Sequence, residues 1–287
     1  ANMLNRIRIG QETDEDIQEL NTRVRKEGHP DIKRETDALY IFGTNLNVNK
    51  MNNRRLKALK GKERIIPAIC IHKTIKNFKP YVDKKAGNIG TTPFQQELKV
   101  KIGAKVMLTY NVDVSDGLTN GARGELIGIV EDSKENITKL IVKFEVDSNG
   151  RERRRHSPGL LNKYPGGTPI EKVNFSFSIS KSQNGVVKTA NVIQFPIKLA
   201  FACTAHKIQG STIHKPMKLI ISVMDIWNSG SAIVYVMLSR ICALWQLYIL
   251  EEFKRSKMFP SKLAIKELER LEEISKNRNP TEWEIED

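Results

Sequence analysis

Thr204-Ala205-His206-Lys207-Ile208-Gln209-Gly210-Ser211-Thr212 follows an apolar run, Ile197 to Ala202, and decides how this chain is read. A run of that kind, closed by polar punctuation, is a buried strand leading to a junction. The spacing predicts that a helix begins near Gln209-Gly210, where free backbone N–H groups and a positive dipole end would suit phosphate. Thr204, His206 and Lys207 add a hydroxyl, an imidazole and an ammonium, the donors expected along a nucleic-acid backbone. For His206 alone, a satisfied loop histidine is the plainer reading. The whole set favours phosphate chemistry. About twenty-five residues on, Tyr235-Val236-Met237-Leu238-Ser239-Arg240 places one arginine at the end of an apolar stretch.

Working outward, strands and helices alternate on both sides. Before the junction come a helix from Asp14 to Val24, a strand Ala38–Phe42, a Gly43-Thr44-Asn45 turn, a helix Val48–Leu59 and a second strand Ile65–Ile71. After it come a strand Leu219–Val223, a helix Ser231–Leu238, a strand Leu247–Leu250 and an amphipathic helix Leu263–Ile274, ahead of a frayed acidic tail. That alternation implies an α/β layer. From about Glu97 the pattern changes to short strands with turns such as Asn120-Gly121 between them, which suggests a small barrel. Phe175–Ile179 alternates strictly and reads as a further strand of that barrel. Arg151–Arg155 and Ser157–Pro169 read as a basic loop. The expected boundaries are 1–95 and 193–287 for the α/β part and 96–192 for an insert.

The chain has 287 residues, 39% hydrophobic and 28% charged, the composition of a folded protein. No apolar run approaches the roughly 18 residues needed to cross a bilayer, so no membrane partner is expected. Cys70, Cys203 and Cys242 are odd in number and widely spaced, which argues for a reducing compartment, and no Cys/His pair has zinc spacing. The net charge is +14, and twelve Lys/Arg lie between Lys50 and Lys85 against only Glu63 and Asp83. A basic surface of that kind is the footprint of a polyanion partner, because counterion release drives such binding. The bland alternative is a solvated lysine-rich face.

Thr204 to Gly210 resembles motif V of the RecD-like superfamily-one helicases, and within them the petite-integration-frequency (PIF-type) DNA helicases. Tyr235–Arg240 is similar to their motif VI, with Met237 in place of the usual alanine. Leu4–Gly10 resembles the segment that follows the first motor domain. Ile41–Asn45 with Asn52 resembles the motif near the start of the second. Lys101–Leu108 and Gly117–Gly124 resemble the approach to the family's small inserted barrel. Ile208 and Ser211 depart from the Ser and Leu usual there.

The resemblance implies an α/β fold: a RecA-like second motor domain with an inserted small SH3-like β-barrel. It also implies a role for each position. Thr204, His206, Lys207 and Asn45 would meet single-stranded DNA; Gln209 and Gly210 would lie beside the nucleotide. Arg240 would be the arginine finger on the γ-phosphate, a device worth about 10³–10⁵ in rate where it has been measured. ATP and Mg²⁺ would be held mainly by a first RecA-like domain, because no Gly-x-x-x-x-Gly-Lys-Ser/Thr loop occurs in this sequence. The chain, which begins without methionine, is therefore expected to be the C-terminal part of a 5′-to-3′ helicase, inactive alone, and nuclear or mitochondrial if eukaryotic. Two rivals share the residues. One is a non-enzymatic, helicase-derived module that binds single strands. The other is an RNA-directed barrel using Phe144, Phe175 or Phe177 as stacking platforms.

Overall fold

Unbroken apolar runs and alternating ones sort into different sheets. A computed structural model describes residues 2–83, 87–181, 187–210, 212–226, 233–255 and 262–277. The chain divides into two compact units, Ala1–Thr44 together with Thr204–Asp287, and Asn45–Cys203.

The first unit opens with α1 (Asn2–Ile9), α2 (Asp14–Asn21), α3 (Pro30–Arg34) and β1 (Leu39–Phe42). The acidic first turn of α2 is closed by a capping box, in which Thr13 Oγ1 accepts from the Asp16 N–H and the Asp16 carboxylate accepts from the Thr13 N–H. Asp16 also accepts two bonds from Arg6, at 2.7 and 2.5 Å, which hold its carboxyl down at about 2.

The second unit carries α4 (Asn45–Ala58), β2 (Arg64–Pro67), β3 (Ile69–Ile71), β4 (Glu97–Val100), β5 (Lys105–Leu108), β6 (Arg123–Glu131) and β7 (Ile137–Phe144). It continues with α5 (Arg151–Arg155), α6 (Pro158–Lys163), β8 (Thr168–Glu171), β9 (Val173–Lys181), β10 (Val187–Gln194) and β11 (Ile197–Leu199). Then β12 (Ala202–Thr204) leads back into the first unit, which adds β13 (Leu219–Ile221), α7 (Val223–Ile226), α8 (Ile233–Leu238), β14 (Leu247–Ile249) and α9 (Lys262–Asn277).

The first unit's sheet has the order β12-β1-β13-β14. Its β1, β13 and β14 are parallel, in a register that aligns Leu39, Leu219 and Leu247. Every residue of those three strands is buried, as expected of parallel strands covered on both faces. The second unit is antiparallel throughout: a five-stranded sheet in the order β11-β5-β6-β7-β8, a three-stranded sheet β3-β10-β9 and the pair β2-β4. Leu98, Val106, Leu108, Leu126, Leu140, Val142 and Ile170 form its main core, with Leu56 from α4 and Ile66 from β2 packed among them.

Several expectations change here. The second unit reaches from 45 to 203 rather than 96–192, because α4, β2 and β3 pack with the antiparallel sheets. Ile65–Ile71 is thus no strand of the α/β layer; it splits into β2 and β3, in two different antiparallel sheets. Phe175–Ile179 is a strand, but it pairs with β10 and stays outside the five-stranded sheet. Arg151–Arg155 and Ser157–Pro169 are not one loop. They hold α5, α6 and the start of β8, and Asp116 caps α5 by accepting from the N–H groups of Glu152 and Arg153. Ile197–Ala202 is cut in two, with β11 in one sheet and β12 in the other. The opening helix stops at Asn21, and Cys242 is exposed. Part of the Ser231–Leu238 helix, Ser211, Lys84, Lys85 and the acidic tail lie outside the described residues. Phe144 and Phe177 are buried, while Phe175 packs against Phe94 and Tyr110 at ring distances of 5.4 and 5.8 Å. All three rings take part in packing.

Candidate nucleic-acid and nucleotide interface

Thr204 ends β12 with extended backbone, and Ala205–Ile208 then make one turn of 3-10 helix. With three residues per turn, positions 205 and 208 share a side. Both are buried, which turns His206, Lys207 and Gln209 outward into solvent. The Thr204 hydroxyl makes no cap bond to the turn, so the turn leaves it available. Gln209 returns to extended backbone, and Gly210 has φ +81, a conformation that favours glycine. A Cβ on Gly210 would meet nothing within 4 Å, so backbone freedom rather than space demands the glycine.

The helix expected to start near Gln209-Gly210 is therefore absent among the described residues, and its dipole argument goes with it. Any phosphate here would meet side chains projecting from a 3-10 turn, not a helix N-terminus.

The turn packs against α8, which is followed two residues later by Arg240. The half-buried Arg240 guanidinium donates from Nε to Val236 O and from Nη2 to Ser239 Oγ, both at 2.8 Å. A cation on the last carbonyls of a helix is well placed electrostatically. So Arg240 is anchored at its base by α8 itself. The residues after the two motifs are also joined, since Ile213 N–H donates to Arg240 O at 2.8 Å and Ile213 bridges to Ile241.

One residue that the motifs do not include makes that junction rigid. Gln246, fully buried, accepts from the N–H groups of Cys242 and Ala243 and donates from Nε2 to Ile213 O and Met217 O, at 2.9–3.0 Å. A buried amide that satisfies four backbone groups locks both segments at once. Asp225 acts similarly at the other end of β1, accepting from the N–H groups of Gly43 at 2.6 Å and Thr44 at 3.1 Å. Glu251 accepts from Ser222 Oγ and Val223 N–H. Nothing in the spacing of these three side chains advertises them, because each also bonds a main-chain group far along the chain, at Ile213 and Met217, at Gly43 and Thr44, and at Val223.

Thus Thr204, His206, Lys207, Gln209, Gly210 and Arg240 share the first unit and are linked through α8 and Gln246. Asn45, exposed, opens α4 in the second unit. Asn52, quoted with the same motif, is buried; it accepts from Ala202 N–H at 2.8 Å and donates to Ala202 O at 3.1 Å. Its work is to hold the backbone two residues before Thr204. Among the described residues no group of three or more His, Cys, Asp or Glu could hold a metal ion. The arginine carries a guanidinium that could meet a phosphate oxygen.

Residues 91–129, spanning β4, β5 and much of β6, match the family profile described as DNA helicase Pif1, 2B domain. The chain is 28% identical over 254 residues to the ATP-dependent DNA helicase PIF1 of Danio rerio, covering 87% of this chain and 32% of that protein. It is 26% identical over 250 residues to the ATP-dependent DNA helicase Pif1 of Bdellovibrio bacteriovorus, covering 86% of this chain and 46% of that one. A crystal structure of Bacteroides Pif1 bound to ssDNA superposes with a TM-score of 0.65 at 23% identity, over 96% of this chain and 54% of that chain. The chain spans about a third to a half of the length of these relatives.

Proposed function

We propose that this chain, which is similar to Pif1-type helicases over most of its length, forms part of an ATP-dependent 5′-to-3′ DNA helicase. On this reading the first unit is the second RecA-like motor domain. The five-stranded sheet of the second unit is the heart of an inserted SH3-like barrel, with the bulge in β6 between Leu126 and Gly128 supplying curvature. Thr204, His206 and Lys207, with Asn45, grip single-stranded DNA. Gln209 and Gly210 lie beside the nucleotide. Arg240 serves as the arginine finger, and ATP and Mg²⁺ are held mainly by a first RecA-like domain of the same helicase.

The observation that carries this reading is the 3-10 turn that faces His206 and Lys207 outward while resting on α8, the helix that leads to Arg240. A strand grip and a trigger on one rigid junction can be moved together when a nucleotide closes the gap between motor domains. A guanidinium adds charge stabilisation to the transferring phosphoryl group, where little covalent help is needed.

The test joins this chain to a RecA-like domain carrying a phosphate loop and measures DNA-stimulated ATP turnover. Arg240→Ala should lower kcat by about 10³–10⁵ while leaving single-strand binding intact. Turnover that survives this change would remove the finger. Thr204→Ala/His206→Ala/Lys207→Ala should instead weaken single-strand binding and flatten its salt dependence. The chain alone should bind DNA weakly and turn over no ATP. If the joined protein also turned over no ATP while still binding single strands, the reading would shift to a non-enzymatic binding module.

A further inference from the structure

At the ends of β13 and β14 away from Ser222 and Asp225, three cations gather on two aromatic rings within the first unit. Lys218 Nζ lies 4.1 Å from the centre of the Trp245 ring and 5.5 Å from that of Tyr248. Lys215 Nζ is 5.9 Å from Trp245, and the Arg23 guanidinium is 5.3 Å from Tyr248. Main-chain oxygens complete the anchoring. Trp245 O accepts from Lys218 Nζ at 2.8 Å and from Arg23 Nη2 at 3.1 Å, and Leu247 O accepts from Arg23 Nε at 3.0 Å. Gln246 fixes the frame, because it bonds the backbone on both sides of the cluster, at 213–217 and 242–243.

What separates this cluster from the ion-paired cations is that its three charges converge on one site without a carboxylate. Arg6, Arg25, Lys105, Lys139, Arg155, Arg255 and Arg270 each face a carboxylate. Among the described residues Arg23, Lys215 and Lys218 face none; π faces and carbonyls hold them. Those contacts order the side chains without cancelling their charge. Trp245 is 40% exposed and Lys215 is exposed, so the cluster opens to solvent. Ordered, uncompensated cations beside an exposed indole offer phosphate contacts next to a surface that bases can stack on.

We propose that Arg23, Lys215, Lys218 and Trp245 form a second contact for the phosphodiester backbone of single-stranded nucleic acid, apart from the Thr204–Lys207 turn. The proposal rests on the DNA-binding reading only for the source of the phosphates. Strands of three residues put this edge roughly 10 Å from the opposite one, at about 3.3 Å per residue. Successive phosphates of one strand, or a phosphate from a second strand, could bridge that distance.

The experiment uses the full chain with Trp227→Phe and Trp283→Phe, so that Trp245 is the one reporting indole. A short oligothymidylate is titrated over a range of salt, in parallel with a duplex of the same length, ATP and inorganic tripolyphosphate. Lys215→Gln/Lys218→Gln should weaken oligothymidylate binding about fivefold to twentyfold at low salt. It should also reduce the salt slope by about 1.4, the value for two single-strand phosphate contacts. The Thr204→Ala/His206→Ala/Lys207→Ala chain should still change Trp245 fluorescence when the oligonucleotide is added. Lys215→Gln alone, altering only an exposed side chain, guards against a folding defect and should reduce the slope by about half as much.

Unchanged affinity and slope in the lysine variants, with binding intact in the parent, would overturn the second contact and leave the helicase reading standing. So would stronger dependence of duplex binding than of single-strand binding on these lysines. If the parent binds no oligonucleotide, the DNA-binding reading fails instead. A Trp245 response to tripolyphosphate that the lysine changes abolish would then keep a bare anion site, and silence there would end that too.

Discussion

The two units bury their strands in different ways. In the first, β1, β13 and β14 are buried at every position, so a polar side chain has no place along them. In the second, β4 alternates exposed and buried residues and β6 alternates half-buried and buried ones, leaving one face of each strand open to polar groups. Full burial is what a parallel sheet covered on both faces requires, and alternation is what an antiparallel strand with one open face shows, although β5, β7 and β8 also carry runs of consecutive buried residues. The difference also decides where chemistry can sit. In the first unit polar function is confined to the strand ends, which is where Thr204, Gly43-Thr44 and the Trp245 cluster lie. Those ends are stiffened by buried or half-buried polar side chains, Gln246, Asp225 and Glu251, gripping main-chain groups. The second unit relies more on a continuous apolar core.

Four measurements would break or sharpen this contrast. Leu126→Ala, in the middle of β6 and fully buried, should cost about 2–5 kcal/mol by denaturant unfolding. A loss under about 1 kcal/mol would mean the apolar core is not what holds the second unit.

Gln246→Ala should cost roughly 1–3 kcal/mol, because removing one amide strands buried backbone donors and acceptors. Amide exchange should quicken at Ile213, Cys242 and Ala243 while β6 and β7 stay protected. Equal quickening in both units would show that the polar bracket serves the whole molecule and not the first unit alone.

Asp16 gives a pH signature confined to the first unit. Its bond to Arg6 lowers the folded carboxyl from its ordinary 3.8 to about 2. The stability it contributes is therefore fully present above about pH 4 and drains away as pH falls through 2. The melting-temperature gap between the parent and Asp16→Asn should be constant at neutral pH and close over that acid window. A gap that instead persists at pH 2 would mean the Arg6 contact is not its source. The smallest effect belongs to Arg155→Ala. Its ion pair with Glu152 leaves both side chains more than half exposed, so stability should move by no more than about 0.5 kcal/mol.

Much of this arrangement was legible in the residues. Ala38–Phe42, Leu219–Val223 and Leu247–Leu250 announce strands of an α/β layer by being apolar apart from Ser222, and they contain β1, β13 and β14. Val48–Leu59 shows its helical face through Met51 and Leu56, both buried in α4. The opening acidic turn is α2, with the cap that its acids suggest. Where the reading missed, the cause lay in partners distant along the chain. Arg151–Arg155 looks like a loop because five nearly all-basic residues make a poor helix alone; the carboxylate of Asp116, thirty-six residues away from Glu152, stabilises it. Ile197–Ala202 looks like one strand because no residue in it signals that the chain changes sheets at Ala200. The helix foreseen after Gln209 fails because Gly210 turns the backbone to positive φ at once.

The order of residues, by itself, determined which stretches are buried, where the polar junction falls and which family the chain resembles, because hydrophobic period and motif spacing are local properties. Only the tertiary structure decided which sheet each strand joins, that the junction is a 3-10 turn resting on α8, and that Gln246, Asn52 and Asp225 hold its surroundings. Each of those outcomes depends on a hydrogen bond or packing contact between groups dozens of residues apart, and no local pattern records such a partner.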